Sequence, residues 1–80
     1  MNEVESMIAK HLSQYFRVDS FPVDADIFAM GLVNSLFALE LVLYVEKTFM
    51  IEIGDADLER GNFRSARAMA DLIVRKRAEN

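Results

Sequence analysis

Eighty residues with 52% hydrophobic and 28% charged side chains, one proline and three glycines, predict one folded helical domain over residues 1–80 rather than a disordered chain. The absence of cysteine excludes disulfides, thiolate catalysis and cysteine-based metal sites, and so small a domain has no room for a deep cleft of its own. The net charge of −4 is unevenly placed: Asp19, Asp24, Asp26, Glu40, Glu46, Glu52, Asp55, Asp57 and Glu59 face only Lys47, whereas Arg60, Arg64, Arg67, Arg75, Lys76 and Arg77 face only Asp71 and Glu79. An acidic middle attracts basic partner surfaces and repels nucleic acid.

The chain opens Met1-Asn2-Glu3-Val4-Glu5, acidic where a signal peptide would be basic. Its longest apolar run, Leu41 to Val45, is far short of a membrane span. Both features predict a soluble, cytoplasmic product without membrane association. Val4, Met7, Ile8, Leu12, Tyr15 and Phe16 recur at helical spacing and predict an amphipathic helix from about Glu3 to Phe16. Residues 17 to 34 lack that period and contain Pro22, Asp24, Asp26 and Gly31. They predict a long loop, pinned to the core by Phe21, Ile27 and Phe28, and ordered loops of this length usually have a task.

Ser35 to Phe49 has no glycine or proline and is rich in Leu, Glu and Ala, which predicts a second helix, with Asn34 as its N-cap. Leu41, Val42, Val45 and Phe49 form its expected buried stripe. Phe37, Leu39, Leu43 and Tyr44 are also apolar, more than one stripe can hide. Asp55 to Arg60 predicts one or two helical turns closed by Gly61. Ser65 then caps a last helix with Ala66, Met69, Ala70 and Ile73 facing inward, and Arg75, Lys76 and Arg77 suit its negative end.

The informative stretch is Gly31-Leu32-Val33-Asn34-Ser35-Leu36. Gly31 permits a turn, Asn34 caps, and Ser35 becomes the first helical residue, beside backbone amides that lack intrahelical partners. A phosphodiester there is favoured by the helix dipole, by roughly 0.3–1 kcal/mol at an exposed site. From these six residues alone, a serine that merely follows a cap is the simpler reading.

The order of elements, with Ile27-Phe28 before Gly31 and Ser35-Leu36 opening a Leu- and Val-rich helix, resembles the acyl carrier protein family over nearly the whole chain. The resemblance implies an all-α, four-helix bundle with a long loop between the first two helices. It also implies that Ser35, in the position of the serine of an Asp-Ser-Leu motif, receives 4'-phosphopantetheine from coenzyme A, and that the arm's thiol carries acyl groups as thioesters. The second helix would then be the main surface read by partner enzymes. Those partners would be a phosphopantetheinyl transferase, acyl-loading and acyl-modifying enzymes, and a polyketide synthase or similar acceptor.

Two features depart from the family pattern. Asn34 replaces the usual Asp; it caps equally well but removes a negative charge beside the hydroxyl. Gly31 and Ser35 are four apart, one more than in fatty-acid carriers. The longer form looks more like D-alanyl carriers and stand-alone carriers of unusual polyketide extender units. In particular, Gly-Leu-Val-Asn-Ser-Leu-Phe-Ala followed by Glu46-Lys47-Thr48-Phe49 is similar to carriers of methoxymalonyl- and hydroxymalonyl-type units. There a glycerate-derived three-carbon unit is loaded on the arm, oxidised and delivered to a polyketide synthase.

On the second helix, Leu36, Phe37, Leu39, Leu43 and Tyr44 are candidates for an apolar docking patch, with Glu40 and Glu46 steering by charge. Leu39 and Leu43 fit the core equally well, whereas Phe37 is assigned to docking. Catalysis by the chain itself is not expected: its one histidine, His11, lies on the first helix, far in sequence from Ser35. Asp55-Ala56-Asp57 with Gly61 fails as a calcium loop, because the glycine is one position late and Ala66 stands where the bidentate Glu belongs. Asp24 and Asp26 suit turns and caps. The rival from another class is a helical docking module without a prosthetic group. A helix-turn-helix is disfavoured by the acidic centre. The expectation is therefore a discrete, monomeric, non-catalytic carrier.

Overall fold

The computed structural model describes residues 3–79. They form α1 (Glu3–Phe16), α2 (Ser35–Phe49), a 3-10 turn (Asp55–Asp57), α3 (Arg60–Phe63) and α4 (Ala66–Glu79), with no strand among them. The expected all-α, four-helix architecture is present. Within the element order, what changes is the short third helix. The Asp55–Asp57 turn and α3 are separate pieces, and Gly61 lies inside α3 rather than closing a turn.

Helical spacing explains the core. Ile8 and Leu12 of α1, Leu41, Val45 and Phe49 of α2, and Ala66, Met69, Ala70, Leu72 and Ile73 of α4 point inward and are buried. α1 and α3 both pack against α4. Each Val, Leu, Ile, Phe or Met side chain removed from water in this way contributes roughly 1.5–3 kcal/mol, and each alanine less. Val42 sits at the edge of the α2 stripe, half-buried. α4 starts where the sequence predicts, because the Ser65 hydroxyl accepts the Ala68 N–H at 3.1 Å.

The loop over residues 17–34 is tied down by backbone bonds that no local pattern announces. Ile27 N–H donates to the Arg64 carbonyl at 2.7 Å, and Arg67 N–H donates to the Val23 carbonyl at 2.9 Å. Ile27 is fully buried, with Phe21 and Phe28 packed against the core around it. The Asp26 carboxylate accepts from Phe28 N–H and Ala29 N–H, both at 3.0 Å, the turn-capping role its type favours. The turn ends at Gly31, whose φ of 74° suits glycine and redirects the chain toward α2.

Two helices end on non-glycine residues in the left-handed region, Arg17 at φ 59° and Met50 at φ 55°. Each such residue costs roughly 1–2 kcal/mol. Met50 N–H returns to the Glu46 carbonyl and Val18 N–H to that of Ser13, which satisfies carbonyls the helix leaves open.

The basic end of α4 is stitched to the acidic middle. Lys76 Nζ lies 2.7 Å from Asp57 Oδ2, and Arg77 Nη2 donates to the Phe49 carbonyl at 3.4 Å. The hydrogen bond from Lys76, joined by that from Gly54 N–H, holds the Asp57 carboxyl below its ordinary range. Asp57 in turn raises Lys76.

Candidate functional site

The serines differ in what the fold leaves them free to do. Ser13 is buried and its hydroxyl donates to the Lys10 carbonyl at 2.8 Å. Ser65 is buried and committed to capping α4. Ser6 is exposed on the body of α1, and Ser20 is exposed in the loop. Ser35 alone is an exposed serine that opens a long helix, the 15-residue α2. Asn34 precedes it with extended backbone, and its Oδ1 accepts the Phe37 N–H at 2.8 Å. The Asn34 carbonyl takes the first helical bond, from Ala38 N–H at 2.9 Å. The amides of Ser35 and Leu36 precede the first intrahelical donor, so this end of α2 keeps a positive local potential. An exposed hydroxyl at a capped helix N-terminus fits a covalent phosphodiester in solvent access, charge and hydrogen-bonding capacity.

Residues 4–73 match the family described as "Phosphopantetheine attachment site". This chain belongs to the phosphopantetheine-binding carrier protein family. The carrier is also 33% identical over 70 residues to an aminoacyl carrier protein of Agrobacterium fabrum (strain C58 / ATCC 33970), covering 88% of this chain and 83% of that protein. Its prosthetic group is covalent 4'-phosphopantetheine. Proteins of this family work with phosphopantetheinyl transferases and acyl-handling enzymes. No cluster of potential metal ligands occurs among the described residues, and none of their helices is long and apolar enough to cross a membrane.

On the outer surface of this carrier's α2, three of the apolar residues singled out in the sequence are solvent-exposed. Leu36, Leu39 and Leu43 are exposed, by 76%, 58% and 45%. Together with Glu40 and Tyr15 of α1 they line an open groove of about 340 Å³. Tyr15 belongs by spacing to the apolar stripe of α1, yet it is 47% exposed and lines this groove.

Phe37 is a correction. It is buried, with 1% exposure, its ring 4.2 Å from that of Tyr15 and 5.2 Å from that of Phe16. Its place follows from the helix period: Phe37 is one turn before Leu41, so it begins the inward stripe Phe37, Leu41, Val45, Phe49. Extending the stripe backwards by four residues would have found it.

Tyr44 and Glu46 lie outside the Leu36–Leu43 groove and have partners within the fold. Tyr44 is half-buried, stacks on His11 with ring centroids 3.7 Å apart, and donates its hydroxyl to the Met7 carbonyl at 3.3 Å. Burial raises its phenol above the ordinary range. Glu46 Oε2 accepts Ile53 N–H at 2.8 Å and so secures the chain after α2. Glu40 remains at the groove, and its carboxylate lies 3.2 Å from His11 Nε2. His11 is thus a bridge between α1 and α2.

Near the opposite face of α2, an open cavity of about 310 Å³ is walled by Val33, Ala38, Leu41, Val42, Leu58 and Phe63. Phe28, Glu59 and Arg60 complete it, with the Arg60 guanidinium 4.8 Å from the centre of the Phe28 ring.

Proposed function

We propose that this chain is a discrete acyl carrier protein whose 4'-phosphopantetheine arm is attached to Ser35. The observation that carries the reading is the exposure of Ser35 at the Asn34-capped N-terminus of α2, inside the stretch that matches the attachment-site family. The arm supplies a thiol on which an acyl group is held as a thioester. The protein's own residues supply tethering, which raises the local concentration of the cargo near successive enzymes. They also supply an address. In this reading Leu36, Leu39 and Leu43, with Tyr15 and Glu40, form the surface that partners recognise, an apolar groove bordered by one carboxylate.

For cargo, the Gly31 to Ser35 spacing and the Gly-Leu-Val-Asn-Ser-Leu-Phe-Ala run favour a glycerate-derived three-carbon unit of the methoxymalonyl type, passed to a polyketide synthase. The aminoacyl carrier relative favours a second reading, in which the arm carries an amino acid. The test of attachment is intact-protein mass spectrometry after incubation with coenzyme A, magnesium and a broad-specificity phosphopantetheinyl transferase. One pantetheinyl addition on the wild type and none on Ser35→Ala is the expected result. An equal addition on both proteins rules out Ser35.

A further inference from the structure

The apolar cavity beside α2 adjoins the start of the helix, because Val33 and Ala38 stand on either side of Ser35 in the chain and both line it. By helical spacing Ala38, Leu41 and Val42 lie nearly opposite Leu36, Leu39 and Leu43. A group lodged in the cavity would therefore leave the proposed docking groove open.

The cavity's charged residues are Arg60 and Glu59. Arg60 is held: its guanidinium sits over the Phe28 ring at 4.8 Å. That contact, favourable in itself, leaves the guanidinium's in-plane N–H donors to acceptors. Neither Arg60 nor Glu59 has a side-chain hydrogen bond or ion pair among the described residues. The nearby Asp57 and Lys76 are bound to each other at 2.7 Å and compete for neither.

We propose that Arg60 is a specificity-determining residue of this cavity, favouring an arm-borne acyl group that ends in a carboxylate. The inference rests on Ser35 bearing the arm. The apolar walls take the methylene or methyl of a short acyl group, and the Arg60 guanidinium lining the same cavity takes its terminal carboxylate. A plain acyl group gains only the walls. An aminoacyl group brings an ammonium toward Arg60, and Glu59 is the only group at the cavity that would attract it. Since the cargo is tethered, docking is a one-molecule equilibrium, and an exposed ion pair shifts it by up to roughly fivefold.

The test loads the protein with hydrolysis-resistant amide analogues of three arms: malonyl, acetyl and alanyl. Loading is first verified by mass, and NMR then follows the methyl groups of Val33, Leu41 and Val42 and the Arg60 Nε–H. The malonyl arm is expected to shift these signals most, including Arg60 Nε–H. Arg60→Gln, at an exposed position, should reduce its methyl shifts to the acetyl level, and Arg60→Lys should restore part of them. Equal shifts from malonyl and acetyl arms would overturn the role of Arg60. Larger shifts from the alanyl arm, lost in Glu59→Gln, would overturn it in favour of ammonium selection. Failure of every arm to load on Ser35 would instead remove the attachment reading, and the inference with it.

Discussion

Leu36 and Phe37 are neighbours on α2, both large and apolar, yet one is 76% exposed and the other 1%. The same helix builds two apolar stripes. One, Phe37, Leu41, Val45 and Phe49, closes the core against α1 and α4. The other, Leu36, Leu39 and Leu43, meets Tyr15 and Glu40 in an open groove. The stripes are equally hydrophobic in the sequence and have opposite consequences: one holds the fold, and the other leaves apolar surface in water, nearly neutral for folding and open to a partner. Substitutions that separate the stripes test this division.

The largest effect is expected at the inward stripe. Phe37→Ala should lower unfolding free energy by about 3–5 kcal/mol, the usual range for a buried phenylalanine, read from chemical denaturation. A change under about 1 kcal/mol would show that Phe37 is not core. At the junction where the stripes begin, Asn34→Ala should cost about 1 kcal/mol by removing the bond to Phe37 N–H, whereas Asn34→Asp should cost little. At the far end of α2, Met50→Gly should stabilise by about 0.5–1 kcal/mol. Glycine relieves the positive φ but loses more chain entropy on folding, and the Met50 side chain is 84% exposed. The smallest effect on stability belongs to the outward stripe. Leu39→Asp should stay within about 0.5 kcal/mol of wild type, while acyl transfer to a cognate partner falls. An unchanged transfer rate would remove the docking role of that groove.

Asp57 is held below its ordinary value of 3.8 by Lys76 and Gly54 N–H. A depressed folded value means stability that is present above the unfolded value and lost as pH falls through the folded one. The wild type should therefore lose stability below about pH 4, and Asp57→Asn should flatten that part of the profile. An identical acid profile in both proteins would show that the Lys76 pair contributes nothing.

Much of the fold was legible because it rests on period and caps. α1 and α2 have the expected bounds, and Asn34 and Ser65 cap as their types and positions suggest. The errors have physical causes. Phe37 looks surplus in the sequence when the buried stripe is counted from Leu41, one turn after its true start. Tyr44 and Glu46 looked free on α2 because their partners, Met7 and His11 for one and Ile53 for the other, are brought to them by the fold. Tyr15 carries both roles at once, contacting Phe37 with its ring while lining the groove, and a residue at a helix boundary gives no sequence signal for that. The ties from Ile27 to Arg64 and from Arg67 to Val23 involve backbone alone and leave no side-chain trace.

The proposed carrier function depends on one group, the hydroxyl of Ser35. The most direct measurement is proteolysis and fragment-ion mass spectrometry of the transferase-treated wild-type protein, asking which serine carries the added pantetheinyl group. The expected result is a single modified peptide whose fragments place the addition on Ser35, with Ser6, Ser13, Ser20 and Ser65 unmodified. An addition located at Ser6 or Ser20, the other exposed serines, would contradict the assignment of the helix N-terminus as the attachment point.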